Sequence, residues 1–206
     1  MAGSKERWLT SGEIALAKVI FGNAIDYSIV KIHDKKYTFF QPGFSGMTPN
    51  GEIYIDGVYK DDYSLATPGL KSFYIHELVH VYQYQLKILN PISAAIAETF
   101  AHFFDYNKAY LYTLDASKDL LDYDIEQQAQ IIQDYYRLKH AGLTPVVGFM
   151  QNKMSEVVKN NLFEKVLAKF LNDPGYARHT VNCEWRRVGG GARRRICKRI
   201  LTGSTP

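Results

Sequence analysis

The sequence predicts an α+β domain: a small antiparallel or mixed sheet beside a bundle of about four to five helices, with the helix over residues 70–89 at its centre. Three observations lead there. Helical and strand patterns run in blocks, one helix, a few short strands, then a succession of helices, instead of alternating along the chain. Strand-like alternation with turn signals is confined to residues 27–55. The stretch over 70–89 is apolar on nearly every side, the pattern of a helix surrounded by other elements. A chain of 206 residues suits one compact domain, and 46% apolar with 22% charged residues is ordinary for a globular protein.

Each element has its own signal. "SGEIALAKVIFG" at 11–22 reads as a helix capped by Ser11, with Glu13 in its first turn and Gly22 at its end. "YSIVKIHDKKYTFFQPG" at 27–43 reads as two strands about a turn at 34–36. In "TPNGEIYIDG" at 48–57, Asn50-Gly51 is a turn and 52–56 a strand. Helices are expected over 70–89, stopping before Pro91, over 93–112, over 122–142 ending at Gly142, and over 155–172 with Pro174 beyond. Residues 1–11 read as a disordered leader, 12–175 as the folded domain, and 176–206 as a disordered or artificial basic tail.

Charge divides the same way. The formal net charge is +4, but residues 1–175 carry −3 and residues 176–206 carry +7. The body is therefore not expected to bind nucleic acid. Both cysteines, Cys183 and Cys197, lie in the tail, which excludes a disulfide-built mini-protein and leaves a tail disulfide or a free pair. No stretch approaches the roughly 18 apolar residues of a membrane span, and the first residues lack the apolar run of a signal peptide.

The chemistry concentrates in "SFYIHELVHVYQYQ" at 72–85. His76, Glu77 and His80 form H-E-x-x-H on a helix where Ile75, Val79, Tyr82 and Leu86 make an apolar stripe and Leu78 and Val81 flank the other side. Two imidazoles one helical turn apart face the same way and can grip one ion. Glu77, a neighbour around the helix, can then act as general base on a water there. The expected cofactor is Zn2+, and the expected reaction is hydrolysis of a peptide bond. Zinc of this kind takes a third protein ligand. Glu98, His102 and Glu126 are candidates, and spacing alone leaves Glu98 and Glu126 level.

Four pieces, "GEIALAKVIFGNAIDYSIVKI", "TPNGEIYI", "FYIHELVHVYQ" and "IEQQAQIIQDYY", occur in an order that resembles the zinc metallopeptidase (zincin) domain attached to, or encoded beside, Vgr-type spike proteins of bacterial type VI secretion. The resemblance runs from about Gly12 to His140. It implies a zincin-like fold, zinc on His76, His80 and Glu126, and Glu77 as catalytic base. It further implies an antibacterial effector, made in the bacterial cytoplasm and injected into a target cell, where the periplasm is the expected destination. A protein or peptide substrate, a spike or carrier protein and a cognate immunity protein are the partners it implies.

Zincins of this type often orient a histidine through an acid one turn after the third ligand. Here Gln130 occupies that position, and Asp134 lies a turn further. Glu52, Ile53, Tyr54 and Ile55 are the expected edge strand for an extended substrate. Tyr82, Tyr84, Tyr106, Tyr135 and Tyr136 are candidates for the phenol that stabilises an oxyanion. His33, His140 and His179 are expected to be solvated. The peptide stem of a cell wall is an alternative substrate to protein. A metal-stabilised adaptor or binding module is the alternative without catalysis.

Overall fold

The structure, a computed structural model, describes residues 5–39, 41–88, 106–146, 148–153, 155–179, 181–187 and 193–199. Its first strand lies where a leader was expected. β1 (Lys5–Trp8) pairs antiparallel with β2 (Lys31–Asp34) and forms one edge of the main sheet. A buried ion pair accounts for this. Arg7 places two guanidinium nitrogens on the Glu13 carboxylate at 2.8 and 2.7 Å. Glu13 is fully buried and also accepts the backbone N–H groups of Thr10 and Tyr63. One carboxylate therefore ties β1, the start of α1 (Ser11–Phe21) and the single helical turn Tyr63–Leu65 together. Thr10 rather than Ser11 is the N-cap, in a reciprocal capping box with Glu13.

The sheet order is β1-β2-β4-β3, with β3 at Gly46–Met47 and β4 at Ile53–Ile55. β2 and β4 are parallel and the other pairs antiparallel, so the sheet is mixed. Among the described residues the expected second strand within 27–43 does not form. Instead, the Gln41 side chain reaches the carbonyls of Ser45 and Tyr54 and holds that segment as a loop. Gly51 has a φ of 82°, as the Asn-Gly turn signal requires.

α2 (Pro68–Gln85) starts with proline in its first turn and ends where Lys87 takes a left-handed φ of 59°, before Pro91 is reached. It is followed by α3 (Tyr106–Ala109), α4 (Ile125–His140), α5 (Glu156–Val166) and α6 (Ala168–Asn172). The single helix expected over 155–172 thus breaks at Leu167. Most of the helix expected over 93–112, with Glu98 and His102, lies outside the described residues. α2 packs along α4 and against the sheet. Tyr74 stacks on Tyr63 on one side of it, and Tyr82 meets Phe21 and Phe170 on another.

The domain does not stop at 175. Ala177 is buried, Tyr176 donates its hydroxyl to Asp119 and Arg178 donates to the carbonyl of Ala24. Beyond it, β5 (Val181–Arg187) and β6 (Arg193–Arg199) form an antiparallel hairpin, with Cys183 opposite Cys197. Both strands lie within the stretch 176–206 that was expected to be disordered or artificial. Val181, Trp185 and Ile196 favour extended backbone on either side of a Gly-Gly-Gly run in the sequence. No helix among the described residues is long and apolar enough to cross a membrane.

Glu13→Ala would leave Arg7 facing a buried void and two backbone N–H groups without acceptors. The expected loss is about 3–5 kcal/mol in urea unfolding. A loss below about 0.5 kcal/mol, typical of surface changes, would show that this carboxylate does not tie the elements together.

Candidate metal centre

α2 delivers both imidazoles to one face because its turns repeat every 3.6 residues. The rings of His76 and His80 are 5.0 Å apart between centroids. Glu126, in the first turn of α4, meets them: its Oε2 lies 3.3 Å from Nε2 of His80 and 3.5 Å from Nε2 of His76. The ligand atoms of these three residues all lie within 4.8 Å of one another.

These separations discriminate between two arrangements. A charge-assisted N–H···O bond closes to about 2.7–2.9 Å. Two atoms each about 2.0–2.1 Å from one tetrahedral zinc stand about 3.3 Å apart. Glu126 Oε2 is buried, and it has no hydrogen bond of normal geometry. The donor set and its spacing therefore fit a shared cation better than direct pairing, and the set of two imidazoles and one carboxylate fits zinc.

The electrostatics reinforce the grouping. Burial alone would lower the His80 imidazole, but the Glu126 carboxylate outweighs it and pushes the ring up to about 9. Burial alone would raise the Glu126 carboxyl, but His80 and His76 hold it well below the usual carboxylate range.

Each ring is oriented through its other nitrogen. His80 Nδ1 is 2.9 Å from Oε1 of Gln83, and His76 Nδ1 is 3.0 Å from Oε1 of Gln133. Neither partner is one that the sequence suggested. Gln130 and Asp134 are buried on α4, but Asp134 accepts from the Tyr112 hydroxyl and from the backbone N–H of Val146. Gln133 follows Glu126 by nearly two whole turns and shares its face; Gln130, one turn on, shares that face too, and only Asp134 is turned well away from it. That spacing was legible in the sequence, as was Gln83 at three residues past His80.

Glu77 is 4% exposed, and its Oε2 accepts from the Thr48 hydroxyl at 2.8 Å. Gly46 stands against its other oxygen: a Cβ on Gly46 would lie 2.3 Å from Oε1, so a larger residue there would displace the Glu77 carboxylate. The strand near Glu77 is therefore β3, and the substrate-strand expectation for Glu52, Ile53, Tyr54 and Ile55 is corrected. β4 is paired on both sides, with β2 and with β3, and it is β3 that ends the sheet. Ile53 and Ile55 fill the core, and Tyr54 stacks on His33. Glu52 sits 2.8 Å from Nε2 of His33, which is buried and not solvated. His140 is exposed as expected, and the side chain of His179 lies outside the described residues.

Among the candidate phenols, Tyr82 is buried against Phe21 and Phe170, Tyr84 lies over Gly51, and Tyr135 and Tyr136 pack near His140. The side chain of Tyr106 is outside the description. Among the described residues, the tyrosine whose ring meets His76 is Tyr110, with its centroid 5.7 Å from that of His76. It carried no signal in the sequence, because its position depends on the fold between α2 and α4.

Fold and site together define an α+β domain built around a cluster of two buried histidines and the half-buried Glu126, with a second carboxylate alongside. Over 166 residues the chain is 36% identical to the type VI secretion system spike protein VgrG2b of Pseudomonas aeruginosa, taking in 80% of the chain. It spans 15% of the length of that spike protein. Among solved structures, the effector domain of Pseudomonas aeruginosa VgrG2b superposes with a TM-score of 0.57 at 34% identity, covering 70% of this chain and 84% of that one. No protein-family model matches the chain. The chain belongs to the family of the VgrG2b effector domain.

The coupled charges make a pH prediction for chelator-treated protein. His80 rises from 6.5 to about 9 on folding, so its stabilisation is complete below about 6.5 and is lost as pH climbs through 9. Glu126 falls from 4.5, so its stabilisation is present above 4.5 and is lost as pH drops below it. Urea unfolding should therefore show stability declining from pH 6.5 to 9 in the wild type, with a flatter profile in Glu126→Gln. Equal slopes would show that the carboxylate does not control His80.

Proposed function

We propose that this chain is a zinc-dependent metallopeptidase acting as an effector of type VI secretion. The observation that carries the enzymatic part is the convergence of Nε2 of His76, Nε2 of His80 and Oε2 of Glu126, with Glu77 next along the helix. The effector role rests on membership of the VgrG2b effector-domain family. In this reading the domain travels with a spike or carrier protein into a target cell, and the producing cell holds a matching immunity protein.

His76, His80 and Glu126 would hold the zinc. Bound there, zinc supplies Lewis acidity, which acidifies a water and polarises a scissile carbonyl. Glu77 takes the proton from the attacking water and returns it to the leaving nitrogen. The Thr48 hydroxyl occupies one Glu77 oxygen, so the other is the one available for the proton. Gly46, having no side chain, leaves room for that carboxylate. The substrate is a peptide bond in protein or in the peptide stem of a cell wall.

Metal analysis beside activity assays on casein and on purified sacculi tests this. Wild type and Glu77→Gln should each carry one zinc, and Glu126→Ala should carry little. Glu77→Gln should release new amines about 10²–10⁴-fold more slowly. The substrate from which wild type releases amines identifies the target. A zinc-free wild type, or a wild type that releases no amines from either substrate, would overturn the enzyme reading; a Glu77→Gln variant that keeps its zinc and also keeps toxicity or partner binding is what a metal-stabilised binding module would give.

A further inference from the structure

We infer that Gln83 is a positioning residue that, with Gln128, fixes the proton of His80 on Nδ1 and ties that ring to the backbone beside Glu126; the inference rests on the zinc reading above. The argument starts from two atoms that can only accept. The carbonyls of Tyr123 and Ile125 have no proton to give. Gln128 Nε2 lies 2.7 Å from the Tyr123 carbonyl, so this end of the amide must be the NH2 group and its Oε1 must face Gln83. Gln83 Nε2 then donates twice, to that Oε1 at 3.1 Å and to the Ile125 carbonyl at 2.9 Å. Only Oε1 of Gln83 is left to meet His80 Nδ1, at 2.9 Å. An amide oxygen accepts, so Nδ1 carries the proton. In the neutral ring the lone pair must lie on Nε2, the nitrogen turned toward Glu126.

Both amides are deeply buried, Gln83 at 0% and Gln128 at 3% exposure, so solvent does not scramble their orientation. The second consequence is geometric. Ile125 immediately precedes Glu126, and Gln128 is on the same helix. The amide that sets the His80 tautomer therefore also holds the start of α4 against α2, and two of the three ligands share one support.

An alternative role, in which Gln83 is merely an acceptor for His80, makes the opposite prediction for one substitution. Gln83→Glu keeps the volume and the acceptor, and adds negative charge near the cation. A simple acceptor role predicts equal or tighter zinc. The lock predicts weaker zinc, because the new oxygen would face two acceptors at 2.9 and 3.1 Å.

The test measures zinc affinity on the full chain by competition with a chromophoric chelator, for wild type, Gln83→Glu, Gln83→Met and Gln128→Leu. Cobalt-substituted absorption spectra and urea unfolding of the metal-free proteins run in parallel. Both Gln83 variants should weaken zinc by about 10–100-fold and shift the cobalt bands, and Gln128→Leu should act in the same direction by a smaller factor. If Gln83→Met does not fold, Gln83→Glu and Gln128→Leu carry the test. Zinc held by Gln83→Glu as tightly as by wild type, with unshifted cobalt bands, overturns the inference. A wild type that binds no zinc overturns the metallopeptidase reading instead.

Discussion

α2 is covered on almost every side, yet it carries two imidazoles, a carboxylate and an amide into the interior. Leaving such groups unpaired in a core is costly, so the rest of the domain must supply partners in fixed places. Glu126 answers both Nε2 atoms, Gln83 and Gln133 answer the two Nδ1 atoms, and Thr48 answers Glu77. This requirement decides where α4 lies, because Glu126 and Gln133 must meet α2 from the same side. It also decides how close the sheet comes, because β3 must bring Gly46 and Thr48 up to Glu77.

The same economy recurs at the other end of the sheet. One carboxylate, Glu13, satisfies an arginine and two backbone N–H groups from three separate segments. His33 plays a smaller version of this role, joining β2 to Glu52 and stacking on Tyr54. Short strands of two to four residues give few ladder hydrogen bonds. Buried side-chain pairs therefore carry much of the registration that longer strands would provide through their backbones.

The chemistry of the site follows from its supports being amides. An amide oxygen accepts from an imidazole more weakly than a carboxylate does, so His76 and His80 gain less basicity from Gln133 and Gln83 than acids would give them. Among the three convergent residues, Glu126 alone contributes a formal negative charge. With a divalent cation the cluster would stay net positive, which favours ionisation of a water and leaves the nearby Glu77 carboxylate electrostatically matched to it.

Much of the site was legible because it is local. His76, Glu77 and His80 lie within a turn and a half of one helix, so their relation is set by helical geometry whatever surrounds them. Block order of elements and the Asn50-Gly51 turn were legible for the same reason. The choice between distant carboxylates was not, since spacing along the chain does not determine approach in space. Glu126 came from resemblance to known domains, and the fold then placed it against both rings. Tertiary structure alone decided that β1 belongs to the sheet, because that depends on Arg7 meeting Glu13 and not on any apolar pattern. It alone decided that β3 rather than β4 stands beside Glu77, and that glutamines orient the imidazoles, because those outcomes depend on which faces of separate elements are pressed together.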